Sequence, residues 1–332
     1  MISSLFPSWI AQATADEVNS RVDLDTQILT EQFYFFTVVI MWLIHVGFMA
    51  YEGGASRRKN SMSTAMKNIL TIAVVTPNKR ANTRDQAFYD RLQRNAHVRQ
   101  VPYLYETTVG AGLPVISTLR DLVSSGDRID RIEGVLSGTL AYIFNSLFEG
   151  KKFSEAVRAA RSLGYTEPDP RDDLSGMDVA RKILILSRET GLSLDLAQVE
   201  VENLVPPDCR GEMSVEEFLT ALEKHDSQFE SQRLEAANRK EKLRYKATLE
   251  DGRVQVHLGS VDEQHPFYSL SGSDNIILLT TERYHDRPMV IRGPGAGAAV
   301  TAAGVFAARF RGAGCGRVKT HSPSEESPSA NW

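Results

Sequence analysis

The chain has 332 residues and a formal net charge of −4, with 42% hydrophobic and 24% charged residues. That is an ordinary globular composition, long enough for two domains with a sizeable core, and without an extended basic run it excludes a nucleic-acid footprint. Its two cysteines, Cys209 and Cys315, lie far apart, which argues against a disulfide framework or a zinc site and fits a reducing compartment.

The first feature is an apolar run at residues 33–51, FYFFTVVIMWLIHVGFMAY, of about 19 residues with His45 as its one ionisable group. It begins too far in for a secretory signal peptide. Acidic residues lie upstream of it, and Arg57, Arg58 and Lys59 follow. The positive-inside rule then predicts one N-terminal transmembrane helix, with everything after residue 57 on the cytoplasmic side. A buried globular helix is the competing reading.

Residues 72–76 read as an apolar strand ending at Pro77, Asn78 and Lys79. A lysine just after a buried strand sits at the carboxyl edge of an α/β sheet, where ligands bind. Residues 84–94 predict a helix, 101–107 a strand, and 109–114 a loop with two glycines. A helix over 116–124 and a strand over 129–135 follow, leading into Ser137, Gly138 and Thr139. Small residues at such a turn expose backbone amides at a helix N-terminus, an anion site suited to a carboxylate, with a plain N-cap as the alternative. The helix predicted over 153–163 closes at Gly164, a left-handed cap.

Residues 163–189, LGYTEPDPRDDLSGMDVARKILILSRE, are the richest in chemistry. Pro168 and Pro170 push Glu167 and Asp169 into extended conformations, so the first half is expected to be a rigid acidic loop. Ser175 is expected to cap a helix carrying Val179, Ile183, Leu184 and Leu186 at helical spacing. Asp178 and Lys182 are four apart and share a face, while Glu167, Asp169, Asp172 and Asp173 gather near the helix start. An isolated pair of this kind contributes only about 0.3 to 0.5 kcal/mol. Clustered acids repel one another, and such a cost is more often kept for a site than for a surface.

Downstream, Ser214 with Glu217 forms a capping box, and residues 230–242 continue the helical pattern. Residues 243–249 and 254–258 flank Asp251-Gly252, a β-hairpin signal. Strands over 276–280 and 289–292 complete an open sheet with one face covered by helices, including the one bearing Lys182. Gly293 to Ala298 satisfies G-x-G-x-x-A, a weak dinucleotide signal because no second strand with an acid follows. Residues 309–332 are Gly, Ser and Pro rich and are expected to be a disordered tail.

The stretch 163–189 closely resembles the substrate and catalytic segment of homoserine dehydrogenases, especially those fused to aspartate kinases. Residues 73–82 (AVVTPNKRAN), 105–115 (YETTVGAGLPV), 134–148 (GVLSGTLAYIFNSLF) and 294–306 (PGAGAAVTAAGVF) match the same family in the same order. The resemblance implies an α/β fold: a truncated Rossmann-like nucleotide domain over 71–115, an α+β substrate and dimerisation domain with an open sheet over 116–292, and a segment at 293–308 returning to the nucleotide domain. It implies NADP- or NAD-dependent interconversion of L-homoserine and L-aspartate 4-semialdehyde, in threonine and methionine biosynthesis, by a homodimer. Lys182 would donate the proton and Lys79 would bridge cofactor and substrate. Glu167 and Asp178 would hold the substrate's ammonium or hydroxyl, supported by Asp173; Gly138 and Thr139 would face its carboxylate, with Tyr165 beside it. Gly164, Glu167, Lys79 and Gly295 would line the cofactor. A monovalent cation, Na⁺ or K⁺, would be held at Glu106, Val109, Ala111 and Leu113.

Residues 47–68 (GFMAYEGGASRRKNSMSTAMKN) resemble the end of the first membrane helix of ammonium transporters. Residues 1–70 therefore read as a transporter-like fragment, and no G-x-G-x-x-G unit precedes residue 73. The alternatives are a remnant unable to bind dinucleotide and a membrane protein related to ammonium transporters. The expected location is a membrane anchor with the catalytic part in the cytoplasm, or cytoplasm or plastid if the N-terminal segment is a fusion artefact.

Overall fold

The computed structural model describes residues 74–312 apart from residue 100, with side chains through residue 308. The apolar run at 33–51, the transporter-like stretch 1–70 and the tail beyond 312 lie outside the described residues. Among the described residues no helix is long and apolar enough to cross a membrane.

The first portion is small. Strand β1 (Val74–Val75) pairs in parallel with β2 (Tyr103–Leu104), and helix α1 (Gln86–Val98) joins them. Asp85 starts α1 by accepting the Phe88 amide at 2.8 Å. The strand expected over 101–107 is shorter, because Glu106–Thr108 winds into a 3₁₀ turn in which the Thr108 hydroxyl donates to the Tyr105 carbonyl. Helix α2 (Val115–Ser124) follows, and the Glu106 carboxylate accepts from the Ile116 and Ser117 amides of its first turn.

The second portion is a six-stranded sheet. Its strands are β3 (Ile129–Val135), β4 (Glu200–Val201), β5 (Lys242–Glu250), β6 (Arg253–Val261), β7 (Asp274–Thr281) and β8 (Met289–Pro294), in the order β4-β6-β5-β3-β7-β8. All pairs are antiparallel except β4–β6. Asp251 (φ 50°) and Gly252 (φ 76°) are both left-handed, the turn that the Asp-Gly pair predicts between β5 and β6.

Helices α3 (Gly138–Phe148), α4 (Phe153–Ser162), α5 (Pro170–Leu174), α6 (Met177–Glu189), α7 (Val215–Leu222) and α8 (Asp226–Asn238) accompany the sheet. α3, α6 and α8 pack on β5. Their apolar residues, among them Phe144, Ile183 and Leu186, share one core with Ile132, Ala247, Leu249, Val256 and Ile277 of the strands. The sheet's other face is not bare, as one-sided cover would require. The segment 262–273 lays Phe267 and Leu270 over Val135, Ile276 and Leu278. Buried Arg244 holds that segment through the Phe267, Tyr268 and Leu270 carbonyls, and burial lowers its pKa to about 10.

The structure corrects several expectations. The acidic loop contains α5, because Pro170 sits at its first position with φ already set and Asp169 caps it by accepting the Arg171 amide. Ser175 ends α5 rather than capping α6. The capping position of α6 is Gly176 at φ 73°, where a Cβ would overlap the Tyr245 hydroxyl. α8 stops at Asn238, short of 242, since Lys240 at φ 58° reverses the chain into β5. The last helix, α9 (Ala298–Gly312), runs past Arg309. It packs on β1, β2 and the Glu106 turn. Gly304 permits that approach, since a Cβ there would lie 2.5 Å from Thr107 Cγ2 and 3.0 Å from Gly112 Cα.

Candidate active site

α6 carries Asp178 in its first turn and Lys182 one turn later, so helix geometry alone puts both on one face. Lys182 is 9% exposed. Its ammonium donates to the Leu136 carbonyl at the end of β3 (2.6 Å) and pairs with Asp178 Oδ2 at 2.8 Å. Lys79, from the loop after β1, reaches Asp178 Oδ1 at 3.1 Å. One carboxylate thus holds two cations, one on each oxygen. Burial pushes the Asp178 carboxyl up, but Lys182 and Lys79 outweigh it and hold the pKa at about 2. Among the described residues the third N–H of Lys182 has no protein acceptor.

The Lys79 loop is tied to α6 from behind. Buried Arg188, on the last turn of α6, donates to the Asn82 and Arg84 carbonyls at 2.7 and 2.8 Å. Neither Arg188 nor Leu136 stands out in the sequence: the one acts through backbone carbonyls and the other contributes only its own.

The remaining acids form a second group. The Asp173 carboxylate accepts the Glu167 amide at 2.8 Å, which orders the extended stretch ahead of α5. Burial raises the Asp173 pKa against the pull of that bond, and the Glu167 and Asp178 charges reinforce the rise. Glu167 itself is exposed. Thr139 donates to the Tyr165 carbonyl, fixing the turn to the start of α3, and the Tyr165 ring meets Tyr142 edge-on at 5.1 Å. Gly164 is left-handed (φ 72°) with open space where a Cβ would point. At the start of α3, Ser137 caps by accepting the Leu140 amide at 3.2 Å, so the plain cap is present. Gly138 passes so close to Ser273 that a Cβ would lie 2.7 Å from its carbonyl oxygen.

Gly295 lies on Asn275, whose carboxamide fills the space a Cβ would take and donates to the Leu136 carbonyl at 3.2 Å. The G-x-G-x-x-A stretch therefore follows an antiparallel edge strand and packs on a side chain. Asn275 is a further residue absent from the expected set; its one signal is a polar amide directly before the apolar run Ile276–Leu279 of β7.

Glu106, Val109, Ala111 and Leu113 lie on the turn and loop that lead into α2. Glu106 caps α2, Leu113 accepts the Val115 amide at 2.9 Å, and Ala111 is left-handed at φ 53°. A separate cleft of about 650 Å³, lined by Tyr89, Gln93, His97, Tyr105, Arg120 and Glu189, lies at the C-terminal end of α6. None of the expected site residues lines it.

A family profile described as Homoserine dehydrogenase matches residues 114–308, and the chain belongs to the homoserine dehydrogenase family. It is 51% identical over 237 residues to bifunctional aspartokinase/homoserine dehydrogenase 2, chloroplastic, of Arabidopsis thaliana, covering 71% of this chain and 26% of that protein. With homoserine dehydrogenase of Schizosaccharomyces pombe it shares 47% identity over 243 residues, covering 71% of this chain and 65% of that one. The chain thus spans about a quarter of the plant relatives it matches. Among solved structures, a Candida auris protein of unknown function superposes with a TM-score of 0.70 and 41% identity over 76% of this chain and 74% of its own. A hyperthermophilic archaeal homoserine dehydrogenase in complex with NADPH gives 0.55 and 27%, over 74% and 66%.

Proposed function

We propose that the chain is an NAD(P)-dependent oxidoreductase interconverting L-homoserine and L-aspartate 4-semialdehyde, with Lys182 as the proton donor. The observation that carries this reading is the Asp178 carboxylate held between the Lys182 and Lys79 ammonium groups. When bound, the nicotinamide supplies the hydride to the aldehyde carbon. Lys182 delivers a proton to the aldehyde oxygen as it becomes a hydroxyl, a step worth roughly 10² to 10⁴ in rate. Its other two N–H bonds, to Leu136 and Asp178, fix the direction of the third. In the reverse direction the neutral amine takes the hydroxyl proton, and Asp178 stabilises the ammonium that forms. Glu167 and Asp178 offer carboxylates to the substrate's ammonium or hydroxyl, Asp173 supports them by holding the Glu167 amide, and the Gly138 and Thr139 amides at the start of α3 face the substrate's carboxylate. Tyr165, whose carbonyl accepts the Thr139 hydroxyl, lies beside them.

Lys79, Gly164, Glu167 and Gly295 suit the nicotinamide end of NADPH or NADH: two of them are glycines that leave backbone open or closely packed, and Lys79 presents a charge at the sheet edge. Kinship with an archaeal enzyme in complex with NADPH supports the phosphorylated dinucleotide. A monovalent cation is proposed at Glu106, Val109, Ala111 and Leu113. The left-handed Ala111 (φ 53°) supports it, since this backbone shape is costly for a residue with a side chain and lies close to the Glu106 turn. A plastid location is proposed from kinship with the Arabidopsis protein, whose name is chloroplastic; a homodimer, and a cytoplasmic location as the alternative, are proposed from the family resemblance. An anchor through residues 33–51 rests on their length and lack of charge, and carbonate extraction of membranes tests it.

A second reading is favoured by one observation: the described nucleotide portion has a single parallel pair of two-residue strands. On that reading the chain binds substrate without dinucleotide. Titration with NADPH and NADH, then homoserine oxidation at saturating cofactor, separates the two. Binding with turnover supports the oxidoreductase; homoserine binding by a folded chain that takes up neither dinucleotide supports the second reading.

A further inference from the structure

Lys182 does not hold the Leu136 carbonyl alone. That oxygen accepts Lys182 Nζ at 2.6 Å and Asn275 Nδ2 at 3.2 Å, so its two lone pairs are filled by the proton donor and by a neutral amide. Asn275 is 1% exposed and is the second residue of β7. The segment before it is pinned to α3, through the Asn145 amide on the Gly272 carbonyl (3.0 Å) and through the close pass of Ser273 over Gly138. Its carboxamide also underlies Gly295, where any side chain would overlap it. Its Oδ1 is buried without a hydrogen-bond partner. Rotating the amide to satisfy Oδ1 elsewhere would turn an oxygen onto the Leu136 oxygen, so the bond to Leu136 fixes the amide's orientation.

We infer that Asn275 is the positioning residue of the Lys182 ammonium: it anchors the carbonyl that aims the ammonium, and it sets that carbonyl against Gly295 of the return segment. The inference rests on the assignment of Lys182 as proton donor. A carbonyl held from one side by a rigid amide cannot swing with the lysine, so the N–H left for substrate keeps one direction. Pressure on the Gly295 backbone is passed through the carboxamide to the same oxygen. The coupling runs through one planar group.

Three variants test this. Asn275→Asp keeps the shape and puts a carboxylate within the roughly 4 to 6 Å at which an opposite charge favours the ammonium. Acetylation of Lys182 by acetic anhydride at mildly alkaline pH, read by peptide mass spectrometry, should fall about tenfold, with Lys151 unchanged. Asn275→Leu removes the donor; kcat should fall about tenfold or more with KM for homoserine within about twofold. Gly295→Ala should reproduce that loss, and the double variant should lose no more than either single one. Unchanged acetylation in a folded Asn275→Asp, a loss confined to KM, or full additivity would overturn the inference. If the wild-type chain does not turn over, the functional reading fails, while the acetylation comparison still decides the role of Asn275.

Discussion

Glu133 shows how strongly single residues are held here. Its side chain is 3% exposed and lies 3.1 Å from Lys246, 2.8 Å from Arg131 and 3.5 Å from His265. Burial pushes the carboxyl up, but His265, Lys246 and Arg131 bring the pKa from 4.5 to about 2. A depressed carboxylate contributes stability that is fully present above its unfolded pKa and is lost as pH falls through the folded one. Glu133→Gln should therefore cost about 1 to 3 kcal/mol at neutral pH, by removing a buried carboxylate from the half-buried Lys246 and Arg131. In urea titrations the gap to wild type should hold above pH 5 and close as pH falls towards 2; a gap independent of pH would contradict the pairing. Asp178 has the same sign but is 46% exposed, so its contribution to stability is screened and its effect belongs to activity. Asp178→Asn should lower kcat/KM for homoserine about 10² or more, with little change in melting temperature. At this scale the Asp178–Lys182 pair was legible from spacing alone. The position of Lys79 after a strand marked it as a ligand-edge lysine, but its pairing with Asp178, about 100 residues on, leaves no local pattern. Leu136 was invisible for another reason: a backbone carbonyl has no residue-type signature.

Elements were read well wherever a periodic stripe or a turn pair had to satisfy one face of the sheet. The strand at Ile129–Val135 falls at its expected bounds, and the Asp251-Gly252 turn and the Ser214–Glu217 capping box are both present. The errors came where two short elements meet. α5 and α6 are separated by Ser175 and the left-handed Gly176, and the serine suggested the wrong cap, since a hydroxyl that ends one helix looks like one that starts the next. Gly176→Ala tests the corrected boundary. It combines a left-handed φ with an overlap on Tyr245, and it should cost about 2 kcal/mol or more, about 4 to 8 °C in melting temperature. Adding Tyr245→Phe should restore only part of that loss, because the backbone strain remains. Full restoration would mean that the clash with the hydroxyl, not the turn, sets the cost.

On the scale of the whole described unit, the six-stranded sheet portion carries most of the core, and the β1–β2 portion is held largely by its neighbours: α9 covers the Glu106 turn and Arg188 ties down the Lys79 loop. Stability should be uneven in consequence. Deleting residues 298–332 should speed amide exchange across 101–113 about tenfold or more while leaving β3, β5 and β7 protected. Equal loss everywhere would show one cooperative unit instead. The general architecture was legible because amphipathic faces report the sheet. The cover provided by 262–273 was not, since an irregular segment held by Arg244 has no period to read. The proposed chemistry converges on Lys182, so the most direct measurement compares homoserine-dependent reduction of NADP⁺ by the wild-type chain and by Lys182→Ala at saturating cofactor. The expected result is turnover in the wild type that falls about 10² to 10⁴ in the variant, with dinucleotide affinity unchanged. Equal turnover in both, with the variant folded, would contradict the assignment of Lys182 as the proton donor.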